Sequence, residues 1–427
     1  MKVAFIVGTF PRLSETFIIN QVTGLLDRGH EVDIYADQLG DTSNVHPDVI
    51  KYSLLDRTYY LPAVPDNLVL RGIKGIKLLI SNFIKDPIVT LRSLNVIKYG
   101  KQAASLWLLY TVIPNFNKIY DIIHCQFGTQ SFRGMAFRVI NAPESKLITI
   151  FRGDDISRFV NERGDRVYEK LFKTGDFFLT NCEFFKRRVI QLGCDETEIV
   201  VHYSGLDCSK FIPTFRYPNP DQQIRIATIG RLVEKKGIEY SIRAVAQLIE
   251  VHSNLEYNII GDGLLRERLQ RLIEELNLSH CVKLLGWKNE REIIEILNQT
   301  HLFVATSITA KDGNQDAPIN VLKEAMALGL PVISTHHGGI PELVQDGVSG
   351  FLVPERDVDA LAEKLRYLVE HPEIWATMGR AGRAYVEEHY NLQKLNDRLV
   401  DVYQRLLEQN LKSCSPPSQP SVRHGYS

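Results

Sequence analysis

Asp316 and Glu324 stand eight positions apart in DAPINVLKEAMALGLPVIST, with a proline and an apolar run between them. Two carboxylates at that interval can each accept hydrogen bonds from hydroxyls of one extended polar ligand. Pro318, with its fixed φ and missing N–H, suits the first position of a helix running to about Leu328 and stopped by Gly329. The free N–H groups and positive dipole end of such a helix attract phosphate. At 1.5 Å per residue the two acids lie roughly 12 Å apart, on the order of the span from ribose to hexose in a nucleotide sugar. Taken alone, an acid at a helix start and a Glu inside a helix are common on any surface. The pair gains meaning only from its neighbours.

Those neighbours are Gly-rich and basic turns. IGRLVEKKG offers Gly230, Arg231, Lys235, Lys236 and Gly237 after an apolar run. Small backbone with paired cations at a strand end suits a diphosphate, though surface Lys and Arg are an equal reading. THHGGIPEL places Gly338 and Gly339 between a strand and a helix starting near Pro341, a second phosphate or sugar contact. IIGDG, with Gly261 and Gly263, reads as a tight turn. In the first half, HCQFG puts His124 at one strand end, and FRGDD puts Arg152, Gly153 and Asp154 at the next. A histidine at a strand end is often structural; two successive polar strand ends favour a site.

The elements that must hold these residues read as α/β. KVAFIVG is a continuous apolar run of the parallel-strand kind. ETFIINQVTGLLDRG follows as a helix, with Ser14 placed to cap it and Gly29 to end it. HEVDIYA is the next strand, and YDIIHCQF, KLITIF, DFFLTN and TEIVVHY continue the series. Pro213, Pro218 and Pro220 mark 211–223 as a linker. A second β-α series then restarts with IRIATIG, LEYNIIG, CVKLLG, LFVATS and LPVIST. The expected layout is a first domain over 1–210, a second over 224–390, a C-terminal helix over 391–412, and a Ser/Pro-rich disordered tail over 413–427. Two Rossmann-like halves would put their strand ends on either side of a cleft.

Composition excludes several classes. The 427 residues are 44% hydrophobic and 24% charged, as in a globular protein with room for two domains. A net charge of −1 argues against nucleic acid as a partner. The six cysteines form no C-x-x-C pair, and the histidines no H-x-x-x-H spacing, so neither a redox motif nor a metal site is expected. MKVAFIVGTFPR lacks a full signal-peptide core and reads as a first buried strand. No apolar run reaches the roughly 20 residues of a membrane span. The expected location is cytoplasmic, or peripheral on the inner face of a membrane.

In order and spacing, IGRLVEKKGIEY, DAPINVLKEAMALGLPVIST and GGIPELVQDGVSGFLV resemble the retaining, group 1 glycosyltransferases of GT-B architecture, and TFPRLSETFI resembles their exopolysaccharide, colanic-acid-type branch. The resemblance implies two Rossmann-like domains facing a central cleft, with the last helix crossing back to the first domain. It implies that Arg231 and Lys236 neutralise the departing diphosphate. Glu324 would hold the ribose and Asp316 the donor sugar, as the two acids of an E-x7-E motif. Gly230, Gly338, Gly339 and Asn320 would complete the donor side, and no cofactor or divalent metal is needed. Arg152, Gly153, Asp154, His124 and Glu15 would form the sugar and acceptor side.

Three departures bear on specificity. Asp316 stands where the family usually has the longer Glu. Arg152 stands where it usually has His; a guanidinium cannot accept a proton but can pair bidentately with a carboxylate, which suggests an acidic donor sugar such as a uronate. Packing of Arg152 on phosphate or Asp154 is the alternative. GTFPRLSET is not Gly-rich, and its Glu15 would repel phosphate, so acceptor hydroxyls are its expected contact.

The segment 71–118 is helix-like and carries Arg71, Lys74, Lys77, Lys85, Arg92, Lys98, Lys101 and Lys118 against Asp86 alone. Relatives use such a surface to reach lipid-linked acceptors; a solvated outer face of buried helices is the alternative. The expected activity is transfer of a sugar from a nucleotide-diphosphate sugar to a saccharide or lipid-linked saccharide in cell-surface glycan biosynthesis. A nucleotide-sugar epimerase and a non-catalytic nucleotide-sugar-binding protein are the alternatives.

Overall fold

The computed structural model describes residues 1–43, 45–112, 119–217 and 223–413. Lys118, Pro218, Pro220 and the tail beyond Ser413, named above, lie outside the described residues.

The apolar runs do form parallel strands. The first sheet holds β1 (Lys2–Phe10), β2 (Glu31–Leu39), β3 (Thr58–Tyr60), β4 (Ile122–Gln126), β5 (Lys146–Phe151), β6 (Phe177–Thr180) and β7 (Ile199–Val201), in the order β3-β2-β1-β4-β5-β6-β7. The second holds β8 (Ile224–Ile229), β9 (Leu255–Ile260), β10 (Val282–Gly286), β11 (Leu302–Ala305), β12 (Val332–Thr335) and β13 (Gly350–Val353), in the order β10-β9-β8-β11-β12-β13. Every pairing is parallel. Helices cover both faces, which is why Val3 to Val7 read as an unbroken apolar run and are 0% exposed. Strand order reverses between β1 and β4 in one sheet and between β8 and β11 in the other. Ligands of such sheets bind beyond the strand ends at those reversals.

The helix Leu392–Ser413 crosses back and closes the first domain's core. Leu399 and Tyr403 are fully buried there among Val3, Phe5, Ile18 and Val22. A fully buried side chain of this size contributes about 1.5–3 kcal/mol. Close approach to the helix Thr16–Asp27 requires Gly24, where a Cβ would lie 1.9 Å from the Asn396 amide. Arg28 adds an ion pair to Asp397 at 2.6 Å.

Several local readings are corrected. The first helix begins at Thr16 with Glu15 at its cap position and no side-chain capping bond, so Ser14 precedes the cap. The residues 211–217 are not a free linker. Arg216 is buried and donates to the carbonyls of Leu297, Thr300 and Leu328, tying this stretch to the second domain. Upstream of it, Leu206 forms a backbone bridge with Asn391, just before the last helix. The helix expected from Pro318 spans Asn320–Ala327, because Ile319 is extended at its cap (φ −77°, ψ 140°). Its end agrees with the reading, with Gly329 at φ +76°. No α-helix starts at Pro341; Ile340–Glu342 is a single 3-10 turn.

Candidate active site

The strand ends at the two reversals face one another across a cavity of about 950 Å³. From the second domain, Gly230, Arg231, Lys236, Asp316 and Asn320 line it. From the first domain come Glu15, Arg152, Gly153 and Asp154. Parallel strands ending at one level, and the loops that follow them, thus bring together residues far apart in the chain.

Asp316 is the electrostatic centre. It follows β11 on a long loop, and its carboxylate takes Lys235 Nζ at 2.9 Å on one oxygen and Lys236 Nζ at 2.7 Å on the other. Ser307 Oγ donates to the second oxygen at 2.9 Å. Burial opposes the charge on Asp316, but Lys236 and Lys235 override it and hold the carboxyl well below the usual carboxylate range. Burial pushes the Lys236 ammonium down, with Asp316 pulling it back up. Both lysines sit in the turn after β8, so the strand end that carries Arg231 also carries the counter-charge for Asp316. Arg231 itself is exposed in the cavity.

Glu324 lies one helical turn beyond Asn320 and does not line this cavity. Burial, with the Glu290 charge adding to it, pushes its carboxyl up to about 7, while Lys323 pulls the other way. Lys323 donates to Ser204 O at 2.8 Å and to Asn320 Oδ1 at 3.0 Å, and so bridges the two domains.

Gly338 and Gly339 do not contact the cavity either. They pack beneath the Asp316 loop. Gly338 adopts φ +51° and a Cβ there would lie 2.0 Å from Asp316 O; Gly339 donates its N–H to that carbonyl at 3.3 Å. The direct phosphate or sugar contact expected of them gives way to a supporting role, since that N–H already has an acceptor. His124 is a second correction. It lies within β4, is completely buried, and contacts Tyr403 OH at 2.6 Å through Nδ1. Burial drives its imidazole well below its ordinary value, with Arg152 adding to the effect. The histidine packs the C-terminal helix and does not reach the cleft.

Glu15 is in the cavity wall, paired with Arg12 at 3.1 Å. Burial pushes its carboxyl up, and Arg12 and Arg152 pull it back. Asp154 is held by Arg158 at 2.8 Å and accepts from Asn314 Nδ2 of the other domain at 2.9 Å. Arg152 contacts neither of them within ion-pair distance.

Some site residues were not singled out by sequence. His337 is buried and accepts the Asp316 N–H on Nε2 at 2.9 Å, while its Nδ1 lies 2.6 Å from Glu355 Oε1. Glu355 in turn accepts the Thr309 N–H at 2.8 Å. This chain fixes the backbone of the Asp316 loop from behind. Only the paired His336–His337 before two glycines hinted at it. Glu342 accepts from the Glu183 and Phe184 N–H groups, each at 2.8 Å, and so caps the helix Glu183–Gln191 from the opposite domain. No local pattern marks a cap supplied from 158 residues away.

Comparison with known proteins agrees with this fold. Residues 213–385 match the model for Glycosyl transferases group 1, and residues 14–210 match Glycosyltransferase Family 4. The amylovoran biosynthesis glycosyltransferase AmsK of Erwinia amylovora is 34% identical over 95% of this chain and 100% of its own length. WcaL of Escherichia coli (strain K12), named as a colanic acid biosynthesis glycosyltransferase, is also 34% identical, with the same coverage. Among solved structures, Anabaena HepE in complex with UDP and glucose superposes with a TM-score of 0.66 at 20% identity, over 95% of this chain and 100% of that one. Sucrose-phosphate synthase of Thermosynechococcus elongatus gives 0.69 at 18% identity, over 96% and 100%. With both domains matched and whole-length relatives in hand, this GT-B chain belongs to the group 1 glycosyltransferases and is a glycosyltransferase.

Proposed function

We propose that the protein transfers a sugar, with retention of its anomeric configuration, from a nucleoside-diphosphate sugar to a hydroxyl of a lipid-linked saccharide during exopolysaccharide biosynthesis. The observation that carries this reading is the Lys235–Asp316–Lys236 cluster beside the exposed Arg231 at the β8 reversal. A diphosphate placed there meets Arg231 and Lys236 as its charge grows on departure, the electrostatic contribution that most favours such a transfer. Asp316, with both oxygens held by ammonium groups, positions those lysines and the donor sugar. Glu324, one helical turn beyond the cavity-lining Asn320 and outside the wall itself, is the acceptor for the ribose in this reading. The Glu15 and Arg152–Asp154 wall receives the acceptor. The whole-length relatives named for amylovoran and colanic acid support the pathway class, and HepE, crystallised with UDP and glucose, supports the donor class. An epimerase or a non-catalytic binder finds no counterpart among these relatives.

The lipid carrier is met by the inserted helices before β4. Val69, Ile73, Ile76 and Ile80 recur at helical spacing on Leu68–Phe83 and are 72%, 63%, 59% and 59% exposed. That helix buries Gly75 and Asn82 instead. Ile84, Ile88 and Ile97, in and around the short helices that follow, are also exposed, and Lys74 and Lys77 lie on the first helix with Lys85, Lys98 and Lys101 further along the segment. A solvated outer face would be polar, so this ridge favours membrane contact from the inner leaflet. Each cation adds about 1 kcal/mol at an anionic surface, and burying an Ile adds up to about 1.5–3 kcal/mol. Among the described residues no helix is long and apolar enough to cross a membrane.

Thermal shift against a panel of nucleotide sugars tests the donor site, followed by turnover with a lipid-linked acceptor. Stabilisation by one nucleoside-diphosphate sugar is expected, lost in Glu324→Ala; no stabilisation by any would remove the reading. Flotation with anionic vesicles tests the ridge. Wild type is expected to float at low salt, and Ile73→Ser/Ile76→Ser/Ile80→Ser to remain at the bottom; equal behaviour of the two would refute membrane contact.

A further inference from the structure

Arg152 immediately follows β5, where the first domain meets the Asp316 loop of the second. A Cβ on the adjacent Gly153 would lie 3.4 Å from Gln315 O. The residue is 7% exposed yet lines the cleft. Its partners are all neutral. Nη1 donates to Ser204 Oγ at 3.0 Å, and Nη2 donates to Gln126 Oε1 at 2.8 Å and to Gln21 Oε1 at 3.4 Å. The ring of Phe17 lies 4.0 Å from Cζ. Nε is buried and has no acceptor. Beside it, Asn181 donates to Arg152 O at 3.0 Å, while its own Oδ1 is buried without a partner.

The nearby carboxylates are already engaged. Asp155 accepts the N–H groups of Gly128, Arg152 and Gly153. Asp154 is held by Arg158 and Asn314, and Glu15 by Arg12. A buried cation without a paired anion is costly unless something compensates it. Lys323 reaches the carbonyl of the same Ser204 whose hydroxyl Arg152 holds, so a second basic group stands behind the first, its ammonium pushed down to about 7 by burial, with Arg152 adding to the effect. Burial pushes the guanidinium down to about 9, against the pull of Asp155 and Glu15, as expected of a cation short of counter-charge.

We propose that Arg152 recognises a carboxylate on the saccharide that fills the cleft, so that one substrate is an acidic sugar of the uronate class. The carboxylate takes the free Nε–H, and the unpartnered Asn181 oxygen takes a neighbouring hydroxyl. The carboxylate comes either with the donor sugar or with the residue of the acceptor that faces β5. This inference rests on the proposed sugar transfer.

The test compares matched substrates with the full chain. One arm sets a nucleoside-diphosphate glucuronate against the corresponding glucose donor. The other sets acceptor glycosides ending in glucuronate against those ending in glucose. In one arm wild type is expected to favour the uronate by about tenfold to a hundredfold in kcat/KM, as a charged hydrogen bond implies, with most of the difference in KM. Arg152→Gln should bring that ratio to within about twofold. Arg152→Lys keeps the charge but not the planar fork and should give an intermediate ratio; it also serves if the Gln variant fails to fold. No preference by wild type in either arm, or a preference untouched in both variants, would overturn the inference. Thermal stabilisation of wild type by the nucleoside diphosphate alone separates the two levels. Where it occurs without uronate preference, only the Arg152 inference fails; where it does not occur, the donor site fails with it.

Discussion

Replacing Asp316 by Asn removes one negative charge from a pocket that holds two ammonium groups. The side chains of Asp316, Lys235 and Lys236 are only 8%, 13% and 17% exposed. Taking away one partner of a buried ion pair costs about 3–5 kcal/mol. The lysines retain some contact with water, so the lower figure, about 3 kcal/mol, applies. For a domain of this size each kcal/mol moves Tm by about 2–4 °C, so the second domain should melt about 6–12 °C lower. The pH dependence has a fixed sign. The folded carboxyl lies below its ordinary value of 3.8, so its stabilisation is present above that value and is lost as pH falls through the folded one. The gap between wild type and variant should therefore be constant from neutral pH down to about 5 and close only in stronger acid. A nucleoside diphosphate, which brings negative charge to the same lysines, should raise Tm more in the variant than in wild type. Differential scanning fluorimetry with and without the nucleotide, at several pH values, measures all three quantities. A gap under about 2 °C at pH 7, or equal nucleotide increments in both proteins, would refute the electrostatic account.

Glu324→Gln should do the opposite to stability. The folded carboxyl sits near 7 because burial resists its charge, so wild type loses stability as pH rises from its ordinary value of 4.5 to 7. The variant should out-melt wild type at pH 8, match it at pH 4, and bind the nucleoside diphosphate about tenfold to a hundredfold more weakly by calorimetry; tight binding in the variant would remove Glu324 from the donor site. Glu342→Ala should uncap the helix Glu183–Gln191 at about 0.5–2 kcal/mol and loosen domain closure, seen as a larger radius of gyration in X-ray scattering. An unchanged radius and unchanged turnover would show that the contact does not hold the domains together. Gly338→Ala places a methyl against Asp316 O at a left-handed φ, so it should lower donor turnover more than Gly347→Ala, where φ is +74° but no atom lies within 4 Å; equal effects would assign the loss to backbone strain alone.

The two β-α series were legible because parallel strands buried on both faces must be apolar throughout. KLITIF coincides with β5, Lys146–Phe151. The strands β3 and β13 escaped the sequence reading, while the equally short β7 and β11 did not. Pro318 was read as a helix start because its own geometry allows one, but the extended Ile319 delays the helix to Asn320. The segment 71–118 shows the same limit on a larger scale. Helical spacing reveals an apolar face but not whether anything covers it, and on the helix Leu68–Phe83 that face is open.

The chain order alone determined two Rossmann-like halves, a cationic turn after β8 and an acid at Asp316, since each depends on residues adjacent in sequence. Tertiary structure decided what those residues do to one another. It set Lys235 beside Lys236 on Asp316, turned His124 inward against Tyr403, placed Gly338 and Gly339 behind the loop instead of in the cavity, and left Arg152 without an anion. Each of these is a contact between residues distant in the chain. Its existence depends on which elements pack together, and no local spacing encodes that.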